Sequence, residues 1–217
     1  MKMHIKLMLL MLVLMYSTAF AGCPQFYPNG KVIEVPNSVE LCNSFYVVDF
    51  DTRLHAPVIS AEKFRVGNHP DRSNDFHPDD RLSGDDKASH GDYAKSGFDQ
   101  GHLTPAADAT TDSEMHDTFL LSNMTPQEPT LNRESWRMIE IHVRQLAPDY
   151  VVTGAIYPSK LRFIGVHRIP VPSGYYKIVW KDGIITAWYA PNEPGAQVIG
   201  SSIESIEVMT GLNFPRD

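Results

Sequence analysis

The residues predict an α+β fold built on a largely antiparallel central sheet, and three observations carry that prediction. Runs rich in aromatic and β-branched residues fall into two groups, residues 41–64 and 150–189, with helical patterning between them. The later group contains Lys181-Asp182-Gly183, a tight-turn sequence that joins antiparallel neighbours. Between the groups, Trp136, Ile139, Val143 and Leu146 recur at i, i+3, i+7 and i+10, the stripe of an amphipathic helix.

In chain order, Lys2 and Lys6 precede an unbroken apolar run from Leu7 to Met15, and Ala19-Phe20-Ala21 follows as a small-residue cleavage site. This is the pattern of a secretory signal over residues 1–21, which places the mature chain in the periplasm or outside the cell. An uncleaved anchor is the competing reading, but the run is short for a bilayer and no second one follows, so no stable membrane association is expected. Lipid attachment at Cys23 is a further alternative, because Phe20-Ala21-Gly22-Cys23 resembles a lipoprotein box with an atypical first residue. The chain has two cysteines, and an even pair in an exported protein reads more simply as a disulfide, Cys23–Cys42.

Residues 22–217 are expected to form a single domain, beginning with a Pro/Gly/Asn-rich arm over 22–39. Leu41 to Phe50 reads as one strand, and Pro57 to Phe64 as its hairpin partner. Gly67 to Tyr93 is a long polar loop, of a length that usually serves function. Its His69, Asp71, His77, Asp79, Asp80, Asp85, Asp86 and His90 match no standard zinc spacing and read as a solvated surface. Asp112 to Leu121 is a short helix capped by Thr111 or Asp112. Pro126 and Pro129 break the chain before a stronger helix, Asn132 to Leu146, that Pro148 closes. Tyr150–Tyr157, Arg168–Val171, Tyr175–Trp180 and Ile184–Tyr189 are four further strands, and Ser202 to Met209 a closing helix with Gly211 as its C-cap.

The charge balance narrows the function. The formal net charge is −7, and removing residues 1–21 deletes two lysines and no acid, leaving −9. Tight sequence-specific DNA binding is disfavoured, because neutralisation of phosphates by Lys and Arg dominates such affinity. A local arginine cluster on an acidic body can still grip a few phosphates and release them.

Asp99-Gln100-Gly101-His102 forms a tight turn that aims one imidazole, and Asn132, Trp136, Glu140 and Arg144 follow at four-residue intervals on one helix. Phosphodiester hydrolysis needs a base for water, a counter-charge for the pentacovalent phosphorus and stabilisation of the leaving oxygen. Histidine suits the first, since its ordinary pKa of about 6.5 lets it accept a proton near neutrality. A hydrated Mg²⁺ held by an amide oxygen, with arginines on the non-bridging oxygens, suits the others.

Ser96 to Leu103 resembles the signature of the DNA/RNA non-specific endonucleases, nucleases with a ββα-metal active-site motif. The resemblance extends through Asn123, Pro126-Gln127, Asn132, Trp136, Glu140 and Arg144, with Arg72, Phe76 and Asp79 upstream, and covers roughly residues 40–215 of the single domain. It implies His102 as general base, Asn132 as the one direct protein ligand of Mg²⁺ (Mn²⁺ a substitute), and Glu140 holding a metal-bound water. It implies Arg144 and Arg72 as phosphate ligands in catalysis, and Gln100, Asn123 and Gln127 as residues that shape substrate binding. Asp99 is expected to orient the turn or the imidazole. The implied activity is hydrolysis of DNA and RNA to 5′-phosphorylated products, through contacts to backbone rather than bases.

One position departs from the family pattern. Gln100 stands where the signature has arginine, which removes a cation beside the base and exchanges a charge-assisted contact for a neutral one of about half its strength. The expectation is either reduced activity or compensation by another basic residue such as Arg133 or Arg137. The departure keeps two alternatives open: a DNA-restricted nuclease of the same fold, and a degenerate nuclease that only binds polyanions or a protein partner.

Overall fold

A computed structural model describes residues 22–216. The signal-like segment 1–21 lies outside the described residues. The strands in chain order are β1 (Ser38–Cys42), β2 (Tyr46–Asp51), β3 (Ala56–Lys63), β4 (Asp99–His102), β5 (Met124–Gln127), β6 (Tyr150–Ile156), β7 (Phe163–Ile164), β8 (Ile169–Pro170), β9 (Gly174–Lys181), β10 (Ile184–Pro191) and β11 (Ile199–Ser201). The α-helices are α1 (His90–Tyr93), α2 (Asp112–Thr118), α3 (Arg137–Leu146) and α4 (Ile203–Thr210). Seven strands form one antiparallel sheet in the order β1-β2-β3-β6-β9-β10-β11. The α+β expectation and the antiparallel sheet are met.

Alternation along the strands assigns side chains to two faces. Val47, Ile59, Ala61, Val152, Tyr176 and Ile178 point to one side, where the N-terminal arm and α4 cover them. Tyr46, Val48 and Phe50 point the other way, toward α2 and the long loop. Val151, Ala155, Tyr175 and Val179 share that second face and pack against Leu131, Trp136, Ile139 and Val143 of the long helix.

Several boundaries differ from the sequence reading. The strand expected over Leu41–Phe50 is two strands, because Asn43 and Ser44 turn the chain: the Asn43 amide donates to the Tyr46 carbonyl at 2.8 Å and its side chain to the Leu41 carbonyl at 3.1 Å. The strand expected at Arg168–Val171 shrinks to β8, which pairs with β7 outside the main sheet. Pro129 starts the long helix instead of preceding it. Its missing N–H costs nothing in the first turn, and the Glu128 carboxylate accepts from the Thr130 hydroxyl at 2.6 Å and the Leu131 amide at 2.8 Å. Asn132 is therefore inside the helix, its amide bonded to the Glu128 carbonyl at 2.9 Å, and is not an N-cap. Thr111 and Ser202 cap α2 and α4, and Gly211 ends α4 in the left-handed region at φ 72°.

The arm is fixed covalently and by charge. Cys23 and Cys42 form the expected disulfide. The Tyr27 ring is buried against the sheet, and its hydroxyl lies 2.7 Å from the Asp49 carboxyl and 2.9 Å from that of Glu40. One phenolic proton serves only one of those carboxyls, so the other contact needs a carboxyl proton. Burial pushes the Asp49 carboxyl up to about 7, against the lowering by the hydrogen bonds from Tyr27 and Ser38.

Candidate active site

Strands β4 and β5 form a short antiparallel ribbon that sets Asp99 opposite Gln127 and His102 opposite Met124. Gly101 permits the close approach: a Cβ there would lie 2.5 Å from Gln127 Cβ. The ribbon presents His102 edge-on to Phe76 and Phe119, with ring centroids 5.8 and 5.1 Å away. The Gln100 backbone carbonyl acts on the ring and favours a proton on it. Nε2 is buried without a partner, so the geometry leaves a lone pair on that atom. Burial between the aromatic walls, and then the Arg72 cation, lower the His102 pKa to about 3. The imidazole is held neutral.

The helical segment after Glu128 supplies the opposite wall. Its first part, Leu131–Trp136, is π-helical, a widened turn that often marks functional positions. The Asn132 side-chain amide donates to Asp99 Oδ2 at 3.0 Å, which leaves the carboxamide oxygen available to a ligand. Asp99 also binds Arg133 through two contacts of 2.8 and 2.6 Å. Asp99 thus orients Asn132 and Arg133 rather than the imidazole.

His102, Asn132, Glu140, Arg144, Arg72 and Gln100 line one cavity of about 500 Å³, together with Arg133 and Arg137. Burial pushes Glu140 up to about 7, against the pull of Lys177 and the two arginines Arg144 and Arg72. Arg144 donates to Asp108 at 3.0 Å. The Arg72 guanidinium sits 4.9 Å above the Phe119 ring and donates to Asn74 at 2.8 Å. Gln100 places its amide 3.4 Å from His90 Nδ1.

Two sequence-predicted residues do not reach this cavity. Asn123 is fully buried: its oxygen accepts from the Thr104 amide at 3.0 Å, and its amide donates to the carbonyls of Thr104 and Thr118 at 2.9 and 3.0 Å. It locks the end of the histidine strand to α2. Gln127 is buried over Gly101. Both shape the site from behind, and neither lines it.

A charged floor beneath the cavity was invisible in the sequence. Lys177 on β9 is buried, hydrogen-bonded to Thr153, and its Nζ lies 5.7 Å from the Trp136 ring centroid. Glu140, Glu62 and Asp108 all act electrostatically on it. Burial raises Glu62 and Asp108 and lowers Lys177, so the group shares fewer charges than its composition suggests. Lys177 sits among apolar neighbours on a strand, and only its parity, shared with Tyr175 and Val179, marks it as facing the site.

The site suits a hydrated divalent ion by its donor chemistry. One neutral amide oxygen with a half-buried carboxylate eight residues along is a sparse oxygen set, and Mg²⁺ keeps most of its waters. Phosphate is matched by Arg72 and Arg144.

Comparison with known proteins agrees with this geometry. The sequence profile of the DNA/RNA non-specific endonucleases matches residues 28–217. Bovine (Bos taurus) mitochondrial endonuclease G is 32% identical over 198 residues, covering 78% of this chain and 66% of the relative. Mitochondrial nuclease 1 of Schizosaccharomyces pombe is 34% identical over 227 residues, covering 88% and 69%. The chain thus spans about two thirds of the length of these relatives. A nuclease of Nostoc is 31% identical over 69% of the chain and 62% of its own length. The EndoG/EndoGI inhibitor complex contains a chain that superposes with a TM-score of 0.74 at 28% identity, covering 81% of this chain and 84% of that one. With the profile running through both the histidine strand and the long helix, the chain belongs to the DNA/RNA non-specific endonuclease family, a family of nucleases.

Proposed function

We propose that this chain is an exported, Mg²⁺-dependent endonuclease that hydrolyses phosphodiester bonds of DNA and RNA and leaves 5′-phosphorylated ends. The observation that carries the reading is a neutral histidine whose Nε2 has no protein partner, lining one cavity with an amide ligand, a half-buried carboxylate and paired arginines. His102 takes the proton from water. Burial is the larger cause of its low basicity in the free protein and the Arg72 cation the smaller, so a bound phosphate raises it in part by offsetting Arg72. Arg72 and Arg144 hold the non-bridging oxygens. Asn132, oriented by Asp99, would hold the ion, and Glu140 would accept hydrogen bonds from water bound to it. A bound Mg²⁺ supplies Lewis-acid stabilisation of the phosphorus-centred charge and of the leaving oxygen.

Backbone contacts carry no base information, so both sugars are substrates. Export is supported by the Cys23–Cys42 disulfide, which persists in oxidising compartments.

A Mg²⁺-dependent nicking assay on supercoiled plasmid, with a structured RNA in parallel, tests the reading. His102→Ala is expected to lose about 10²–10⁴-fold in rate, the usual worth of a positioned base. Asn132→Ala is expected to lose comparable activity, and EDTA to abolish cleavage by the wild type. Wild-type rates in either variant would sink the assignment. A wild-type protein that binds plasmid and never cuts it is the degenerate binder, and cleavage of plasmid alone is the DNA-restricted enzyme.

A further inference from the structure

Among the described residues, Asp75, His77 and His116 bring one carboxylate oxygen and two imidazole nitrogens within 4.8 Å of one another. The group lies outside the catalytic cavity, on a separate cleft that His77 and His116 share with Asp79, Asp80, Arg81 and Asp117. Spacing along the chain cannot reveal it, since His116 belongs to α2 and the other two to the long loop.

The state of His77 points to a ligand. Its Nδ1 lies 2.7 Å from the Asp75 backbone carbonyl, which can only accept, so Nδ1 carries the proton and Nε2 the lone pair. That Nε2 is buried with no hydrogen-bond partner. Metal-bound histidines are commonly prepared in this way, one nitrogen donating to a carbonyl and the other free to ligate. The backbone of His77 is itself fixed, its amide donating to the Phe119 carbonyl at 3.2 Å and its carbonyl accepting from the Leu121 amide at 2.9 Å. The His116 ring lies against the His77 ring with centroids 4.1 Å apart. His116 and Asp75 are both exposed and free to turn inward. A closure of about 1–1.5 Å between donor atoms gives the spacing set by metal–ligand bonds of about 2.0–2.1 Å.

The neighbouring cation does not compete. Arg81 is spent on the Asp79 carboxylate, the Cys42 carbonyl and Asn43. Lys87 is likewise taken up by Asp80, at 2.7 Å, and the Asp117 carboxylate, which among the described residues accepts only from Ser44, leaves a field that favours a cation.

We propose that Asp75, His77 and His116 form a second metal site, for a divalent first-row transition ion of the zinc class and not for Mg²⁺. Two imidazoles and one carboxylate suit such ions, whereas Mg²⁺ prefers all-oxygen surroundings. The consequence is mechanical. The ion ties the long loop to α2 beside Phe76, whose ring packs on His102 and Phe119, and three residues from Arg72. It thereby fixes the loop that brings one phosphate ligand to the cavity.

The test is Zn²⁺ binding to the metal-stripped protein, by calorimetry and by competition with a chromophoric chelator, in the presence of millimolar Mg²⁺. Wild type and Asn132→Ala are expected to bind one Zn²⁺ with similar affinity and to gain thermal stability on binding. His116→Gln and His77→Gln are each expected to weaken binding at least tenfold and to lose the thermal gain. Because His116 is exposed, its variant should unfold at the wild-type temperature without metal, which separates ligand loss from misfolding. Absence of Zn²⁺ binding by wild type, or binding that His116→Gln leaves unchanged, overturns the site. Binding lost in Asn132→Ala instead would assign the ion to the catalytic cavity and equally overturn it.

Discussion

At the residue scale, Gln100 is the position where the sequence departs from the signature it resembles and where a substitution is most informative. Its side chain lines the cavity, and its one polar side-chain partner among the described residues is His90 at 3.4 Å, so an arginine there would face the cavity. Gln100→Arg is expected to lower KM for plasmid several-fold at low salt, by replacing a neutral contact with a charge-assisted one. Unchanged KM would mean that Arg137 already fills the role. Asp49 gives a second expectation, for stability. Its folded pKa near 7 lies above the roughly 3.9 of an unfolded aspartate. The folded protein therefore holds this proton more tightly. The contribution is full below about pH 4 and is lost as pH rises through 7. Asp49→Asn should remove it, so that wild-type stability falls by about 2–4 kcal/mol more than the variant's between pH 4 and 8 in denaturant titrations. Parallel curves for the two proteins would refute the assignment.

Elements show how far the sequence reaches. The histidine turn, the long helix and most sheet strands were legible because hydrophobic period and turn residues are local signals. The turn at Asn43–Ser44 was hidden inside an apolar run, and β11 is too short to show a period. Pro129 misled because one residue type both breaks a helix and begins one. The π-helical turn Leu131–Trp136 left no trace in composition, yet it explains the site. In an uninterrupted α-helix, Asn132 and Glu140 would point about 80° apart, at roughly 100° per residue. A widened turn advances by only about 80° per residue, so four such steps bring the two nearly into line. The four-residue spacing in the sequence was informative, but for a geometry it did not itself describe. The disulfide is an element-scale staple, closing the arm over a separation of 19 residues. Loop entropy of that size is worth about 3 kcal/mol. Reduction, or Cys23→Ser with Cys42→Ser, should lower Tm by about 6–12 °C in calorimetry. A change under about 2 °C would show that Tyr27 and its carboxyl partners hold the arm unaided.

For the molecule as a whole, the formal charge of −7 sits beside a cavity carrying Arg72, Arg133, Arg137 and Arg144. Two of the four are already paired, Arg133 with Asp99 and Arg144 with Asp108. On the proposed reading these arginines would contact about two to four phosphates, and the logarithm of affinity for duplex should fall against the logarithm of salt with a slope of about −2 to −4. A slope near −8, measured by fluorescence anisotropy with the His102→Ala protein, would require a basic track elsewhere. The charged floor was beyond sequence reasoning at this scale too, because Glu62, Asp108, Glu140 and Lys177 come from four separate segments and meet only in three dimensions. The sheet has a further consequence. The staples of the arm, the disulfide and the Tyr27 ring with its carboxyl partners, lie at one face of the sheet, while base, amide ligand and arginines occupy the other. The strands act as an insulating wall between an anchoring compartment and a reacting one. Evolution can therefore retune the thermal tolerance of this protein on one side without disturbing the chemistry on the other.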